Sequence, residues 1–364
     1  MLRFVRYIDT FLAIFFLLLL LQLPCLFPAR KIPDPLTELT VVDVHDDNNN
    51  WRGFINFLDL GKGSQVAGMS ELKKYFNRFG YLSERKELNF TDLFDEELES
   101  AVLRFQKNLG LTATGKLDSD TVTEIMRPRC GNSDDHAAPR TLHARKNYAY
   151  FYGKPRWRGS PASTRLLTYA FSPENMIDYI PTPEIKSVFR KAFSRWSAAI
   201  PLNFTEADDY ASADIKIGFY YGSHGDGEPF DGVLGILAHA FSPENGRFHL
   251  DAAETWAVDF DRQKAKAAVD LESVATHEIG HILGLAHSSV KEAIMYPSLS
   301  PRTKKVGLRI DDVEGIQALY GSNPNFKYSS LLSSDISSAW RIAFPQTSIK
   351  WTTFFVVLLF IISR

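Results

Sequence analysis

Residues 277–287 read HEIGHILGLAH, and this stretch constrains the chain more than any other. It sets three of the nine histidines and one glutamate among residues that are otherwise apolar or glycine. His277 and His281 are four apart, so on a helix they share one face, with Ile279, Ile282 and Leu283 on the other side. That spacing lets both imidazoles reach one zinc ion from a single helical turn, with Glu278 as general base. Gly284 can take a backbone conformation that L-residues avoid, so the helix can end and the chain can turn. His287 then arrives where it can supply a third nitrogen. A single histidine here would be read as a hydrogen-bonded core residue. The whole pattern outweighs that reading.

The 364-residue chain has room for two modest domains with tails. Its 41 basic and 43 acidic residues give a net charge of −2, and no basic tract points to nucleic acid. Residues 1–29 carry Arg3 and Arg6, the run FLAIFFLLLLLQLPCLF, and then Pro28-Ala29. This reads as a signal peptide cut near Ala29, with a signal anchor as the alternative. At the other end the apolar stretch Phe354 to Ile362 is too short to span a bilayer comfortably. A Ser-rich linker, residues 322–339, precedes it. Residues 340–364 therefore read as a removable GPI-anchor signal, with Ser337 of Ser337-Ser338-Ala339 as attachment site and Ser333-Ser334-Asp335 as its rival. A tilted membrane tail is the alternative. Removing the signal peptide removes Cys25 and leaves Cys130 without a disulfide partner, which invites another role for it. Asn89 and Asn203 each begin an NFT glycosylation sequon.

Between the tails two modules alternate in character. SELKKYFNRFGYL has Leu72, Tyr75, Phe76 and Phe79 at helical spacing, with Ser70 able to cap its start. DEELESAVLRFQKNLGL and LDSDTVTEIM supply two more helices. The second module opens with strand-like RLLTYAF. A helix follows that buries Ile185, Val188, Phe189, Phe193 and Trp196, and then a strand with Ile215 and Ile217 alternating. Asp311 and Glu314 can cap a last helix beginning at Asp311. His224, Asp226, His239 and His249 offer three imidazoles and a carboxylate, the closed set a structural zinc needs; a polar loop with incidental histidines is the alternative. Asp231, Asp251 and Glu254 are hard oxygen donors that suit calcium, and they suit the capping of surface turns equally well.

The complete H-E-x-x-H-x-x-G-x-x-H is the metzincin form. Ser288 follows the third histidine, IMYP at 294–297 makes a Met-turn, and PRCGNSD at 128–134 makes a cysteine switch. With the loop from His224 to Glu254, these make the chain resemble the matrixins, most closely the plant GPI-anchored members, over residues 51–321. The resemblance implies an α+β fold, with a small three-helix prodomain ahead of a metzincin catalytic domain. The latter would have a twisted, mostly parallel five-stranded sheet and three helices. The implied organisation is a propeptide at 30–146, holding a peptidoglycan-binding-like helical module at 51–126, and a catalytic domain at 147–321. The implied activity is that of a zinc- and calcium-dependent endopeptidase. It would be made latent, released by an activating protease or autocatalysis, and directed at extracellular proteins or peptides.

Carried over by position, His277, His281 and His287 hold the catalytic zinc, Glu278 is the base, and Met295 lies beneath the metal. Cys130 takes the fourth zinc position in the latent form. His224, Asp226, His239 and His249 hold a structural zinc. Asp231, Asp251 and Glu254 bind calcium through side chains, and Gly232, Leu234 and Ile236 through carbonyls. Asp214 matches a ligand of a second calcium. Ser273, Pro297 and Leu299 belong to the specificity pocket, Ser273 near its base. Three departures stand out. The segment between His239 and His249 is shorter than in many vertebrate members, Ser133 replaces a proline in the switch, and Leu299 stands where a tyrosine is often found.

On this reading zinc keeps a position open for water and polarises the scissile carbonyl, while Glu278 moves the proton to the leaving amine. The strand around GILAHAF pairs with an extended peptide. Arg145-Lys146 offers a point of cleavage. Another class is open as well. AVLRFQKNLGLTATGKLDSDTV resembles peptidoglycan-binding modules, so a wall-glycan-binding protein with an inactive protease-like domain is the competing reading.

Overall fold

Apolar residues at helical spacing in the first half of the chain build one aromatic core. The computed structural model describes residues 50–82, 89–134, 148–158 and 165–328. The signal segment, Arg145-Lys146 and the tail with Ser337 lie outside the described residues. A 3-10 helix, Asn50–Phe57, leads into α1 (Met69–Arg78), α2 (Glu96–Asn108) and α3 (Ser119–Ile125). Leu72, Tyr75 and Phe76 of α1 meet Leu98, Val102 and Phe105 of α2 in one cluster. The rings meet edge to face, Tyr75–Phe79 at 4.7 Å and Phe76–Phe105 at 5.5 Å between centroids. Asp95 caps α2 by accepting from Leu98 N, and Asp118 caps α3 by accepting from Thr121 N. Ser70 does not cap α1. The cap is Gly68, and Ser70 sits inside the helix, its N–H donated to Asp92 at 2.9 Å.

The second module is built on strands β2 (Arg165–Phe171), β3 (Leu202–Glu206), β4 (Ile215–Tyr220), β5 (Ile236–Ala240) and β6 (Arg247–Asp251). The five expected strands are joined by a sixth, β1 (Arg129–Cys130), from the segment at 128–134. The order is β1-β5-β6-β4-β2-β3. Every pairing is parallel except β5 with β6. A strand covered on both faces reads as a continuous apolar run, and all five residues of β5 are buried. A small parallel pair, β7 (Trp256–Ala257) and β8 (Val269–Asp270), leads into α5 (Leu271–Ile282), the helix of the opening motif. The long helix α4 (Thr182–Ala199) packs Phe189, Phe193 and Trp196 into the same core as the sheet and α5.

The last helix, α6 (Ile310–Tyr320), is capped two residues earlier than the sequence reading places it. Arg309 is the N-cap, and Asp312 accepts from its backbone N–H at 2.7 Å. Asp311 instead accepts from Ser288 Oγ at 2.6 Å, tying this helix to the residue after the third histidine. The buried Asp312 carboxylate also accepts from Ile294 N and Met295 N, so one side chain holds both the helix start and the turn at 294–297.

Gly284 ends the α5 turn with φ 103°, and a β-carbon there would run into the Pro155 carbonyl oxygen. Backbone strain and a backbone clash add at this position. Gly284→Ala should lower the unfolding free energy of the full chain by about 2 kcal/mol or more. A denaturant titration showing a loss below about 0.5 kcal/mol would contradict this account.

Candidate active site and metal centres

Helix α5 begins because Asp270 accepts from Ser273 N and Ser273 Oγ, and it is buried along its whole length. Its polar groups therefore need partners inside the protein. Each imidazole finds one on its outer nitrogen. His277 Nδ1 donates to Ile294 O at 2.7 Å and His281 Nδ1 to Leu285 O at 2.8 Å. His287 Nδ1 meets the Asp134 carboxylate at 2.6 Å. Carbonyls and carboxylates only accept, so all three protons sit on Nδ1. The three Nε2 lone pairs then face inward, His281 lying 3.0 Å from His277 and 3.2 Å from His287. Facing lone pairs repel. The arrangement is stable around a cation, and the outer hydrogen bonds are those that orient metal-binding histidines.

Cys130 brings the fourth donor. Its Sγ is 3.4 Å from His281 Nε2, and the thiol and three nitrogens lie within 4.8 Å of one another. Burial, then the Glu278 charge, pushes the thiol well above its ordinary value. A nearby cation offsets this penalty by favouring thiolate. One sulfur and three nitrogens fit zinc. Glu278 is fully buried, and neither carboxylate oxygen has a hydrogen-bond partner among the described residues. Burial pushes its carboxyl up to about 8. Met295 is buried beside α5, where a β-carbon on Gly280 would run into its sulfur.

Strand β1 lies between two walls. Arg129 N donates to Gly235 O and Gly131 N to Ala238 O on the β5 side. On the other side Cys130 N donates to Pro297 O, and Leu299 N donates to Pro128 O. A recess behind the donors is lined by Leu237, Ser273, Val274, Ile294, Pro297 and Leu299. The segment is anchored by Asp134, which accepts from Tyr81 OH at 2.8 Å and from Arg129 Nη2 at 2.7 Å besides its contact with His287. Burial opposes its charge, but Arg129 and His287 hold the carboxyl well below the usual range. Asp134 stands in the quoted switch motif without a role in the sequence reading. Only the fold brings Tyr81 and His287 to it.

The second histidine cluster also converges. Asp226 Oδ2 is 2.9 Å from His224 Nε2 and 2.8 Å from both His239 Nε2 and His249 Nδ1. His224 Nδ1 donates to Gly222 O at 2.8 Å, so its Nε2 turns a lone pair toward that oxygen. Burial pushes His239 and His249 down to about 4, which keeps them neutral at pH 7. A cation satisfies this arrangement too, and three imidazoles with one carboxylate fit zinc.

Asp231, Asp251 and Glu254 gather nearby. Asp231 accepts from Ile236 N, Asp251 from Gly232 N and Glu254 from Leu234 N. Burial raises all three carboxyls, Asp251 to about 6, and Glu254 Oε2 is buried without a hydrogen-bond partner among the described residues. Clustered carboxylates with an orphaned oxygen fit a hard cation. Asp214 instead accepts from Thr168 N and Thr168 Oγ1. Asn89 and Asn203 are exposed.

The matrixin family profile matches residues 157–321, and a peptidoglycan-binding domain profile matches residues 65–125. Metalloendoproteinase 1-MMP of Arabidopsis thaliana is 52% identical over 330 residues, 89% of each chain. Metalloendoproteinase 4-MMP of the same plant is 58% identical over 278 residues, 76% of this chain and 79% of its own. Stromelysin-2 of Rattus norvegicus is 36% identical, over 70% of this chain and 48% of its own.

Stripping cations should leave the inward lone pairs and clustered carboxylates uncompensated. A chelator should then lower the thermal midpoint, and stability without metal should depend on pH. Unfolded Asp loses its proton near 3.9, whereas folded Asp251 keeps it to about 6. The folded state binds more protons in that window, so chelated protein should lose stability as pH rises through it. Calorimetry with and without calcium and zinc checks this, and a chelator-insensitive midpoint across the window would overturn it.

Proposed function

This chain belongs to the matrixin family of zinc metalloendopeptidases, and on that premise we propose that it is a secreted, cell-surface endopeptidase made as a latent zymogen. The observation that carries the reading is the closed donor set, three nitrogens from α5 and its return joined by a thiol from β1. His277, His281 and His287 hold the catalytic zinc, and Cys130 completes its shell in the latent protein. Bound there, zinc supplies a Lewis acid that acidifies water and polarises the scissile carbonyl. Glu278 holds the water proton and passes it to the leaving amine. The β5 edge and residues 297–299 receive an extended substrate through the backbone groups that β1 now occupies.

Latency follows from the same contacts. The thiol excludes water from the metal, and β1 fills the cleft. Cleavage between Asp134 and Tyr148, by another protease or by autocatalysis, releases both. His224, Asp226, His239 and His249 hold a structural zinc. Asp231, Asp251 and Glu254 bind calcium with the carbonyls of Gly232, Leu234 and Ile236. Export through the segment at 1–29, glycans on Asn89 and Asn203, and a lipid anchor at Ser337 complete the reading. The exposure of both asparagines supports the glycans. The intact donor set and Glu278 weigh against an inactive protease-like domain.

Glu278→Ala should abolish peptide cleavage, by a factor of about 10³ or more, while zinc content stays unchanged. Retained turnover at full zinc loading would remove Glu278 from its role. Cys130→Ser should give full-length protein that cleaves a quenched peptide before any processing. A silent, zinc-loaded Cys130→Ser protein would overturn the thiol's part in latency.

A further inference from the structure

The helical module and the sheet module share a core. Phe230, Ile236 and Tyr296 belong by sequence to the second, yet they are buried in the aromatic cluster of the first, with Tyr75, Phe76, Phe79 and Phe105. Phe230 also stacks on His224 and His239, 4.8 Å between centroids in each case, so it joins that cluster to the second set of histidines. Ile236 opens β5 and stands against Gly131, where an added β-carbon would lie 2.6 Å from Ile236 Cγ2.

Polar contacts surround this shared core. Arg78, the last residue of α1, forms an ion pair with Glu228, and its side chain is only 24% exposed. Asp231 and Asp226 add opposite charge around the same guanidinium. Tyr296 OH donates to Leu109 O at 3.4 Å. Gly110 approaches Ser289 so closely that a β-carbon would stand 3.0 Å from its carbonyl oxygen.

None of these contacts involves residues 135–147, where the proposed cleavage falls. A cut there removes the covalent tether and breaks none of them. A short tether holds its partner at an effective concentration on the order of millimolar. Without it, docking becomes a bimolecular equilibrium governed by protein concentration. Packed aromatic anchors beside a largely desolvated charge pair are the features that hold partners together well below that concentration.

We propose that the severed segment ending at Asp134 stays docked as a noncovalent inhibitor, so that the release which follows cleavage is a separate, concentration-dependent dissociation, its strength set by Phe230, Ile236, Tyr296 and the Arg78–Glu228 pair. The effect on activity rests on the peptidase reading; the docking does not.

The test uses full-length protein cut by limited proteolysis within residues 135–147. Gel filtration follows the two fragments, and a quenched peptide follows turnover. At about 10 µM the fragments should co-elute and the cut protein should stay latent. Turnover per molecule should rise on dilution, reaching half its limit at or below about 1 µM, whereas uncut protein should show no such dependence. Arg78→Glu should move that midpoint to a concentration about tenfold higher, and adding Glu228→Arg should bring it back. Arg78 leaves with the segment, so turnover after full dissociation should be unchanged in the single variant. Fragments that separate at about 10 µM with full turnover as soon as the chain is cut, or a midpoint unmoved by Arg78→Glu, would overturn the inference and leave the peptidase reading standing. Fragments that co-elute and then separate on dilution without any turnover would overturn the peptidase reading and leave the docking standing.

Discussion

The structure depends on where three protons sit. Each imidazole of the first cluster gives its Nδ1 proton to an acceptor on a different segment: Ile294 O in the turn, Leu285 O after the helix, and Asp134 in the switch. That fixes each ring's tautomer and aims every Nε2 at one point. A helix alone could not do this. It sets His277 and His281 on one face, but the turn at Gly284, the return to His287 and the turn at 294–297 must all be in place before the acceptors are. Asp312 holds that last turn from α6, so the end of the fold reaches back to orient a ring in its middle.

The sheet edge has an equally direct relation to chemistry. β5 runs antiparallel to its inner neighbour β6, and its outer side is where an added strand can pair. In this structure a segment of the chain itself pairs there in parallel, stitched on its other side to residues 297–299. The thiol that completes the donor set and the backbone that fills the cleft are therefore adjacent residues of a two-residue strand. On the proposed latency, binding and blocking would come from one short stretch.

Much of this was legible in the sequence where local chemistry decides. The i, i+4 histidines, the glycine stop, and the apolar stripes of α1, α2 and α4 are readable because helix geometry links neighbours in sequence to neighbours in space. Helix caps were harder, because the candidates compete. Ser70 lost to Gly68 since its N–H found Asp92, and Asp311 lost to Arg309 since Ser288 engaged its carboxylate. The sixth strand could not be read from two residues that show no periodicity; it is made by the edge it joins. Asp134 was hidden for the same reason. Its partners Tyr81 and His287 are 53 and 153 residues away, and only the docked helical module brings them together.

Asp134 has a consequence for how the cleft can open. One carboxylate joins a tyrosine of the helical module, the guanidinium beside the thiol, and an imidazole of the donor set. Arg129 belongs both to β1 and to this junction, so on the proposed latency lifting the strand and loosening the junction would go together. Intermediate states in which the strand has frayed but the junction holds keep the cleft filled. On the proposed latency, strand and junction would open together, leaving shut and fully detached as the two states. Background cleavage by uncut protein would then report concerted opening of the whole segment rather than the mobility of any one contact.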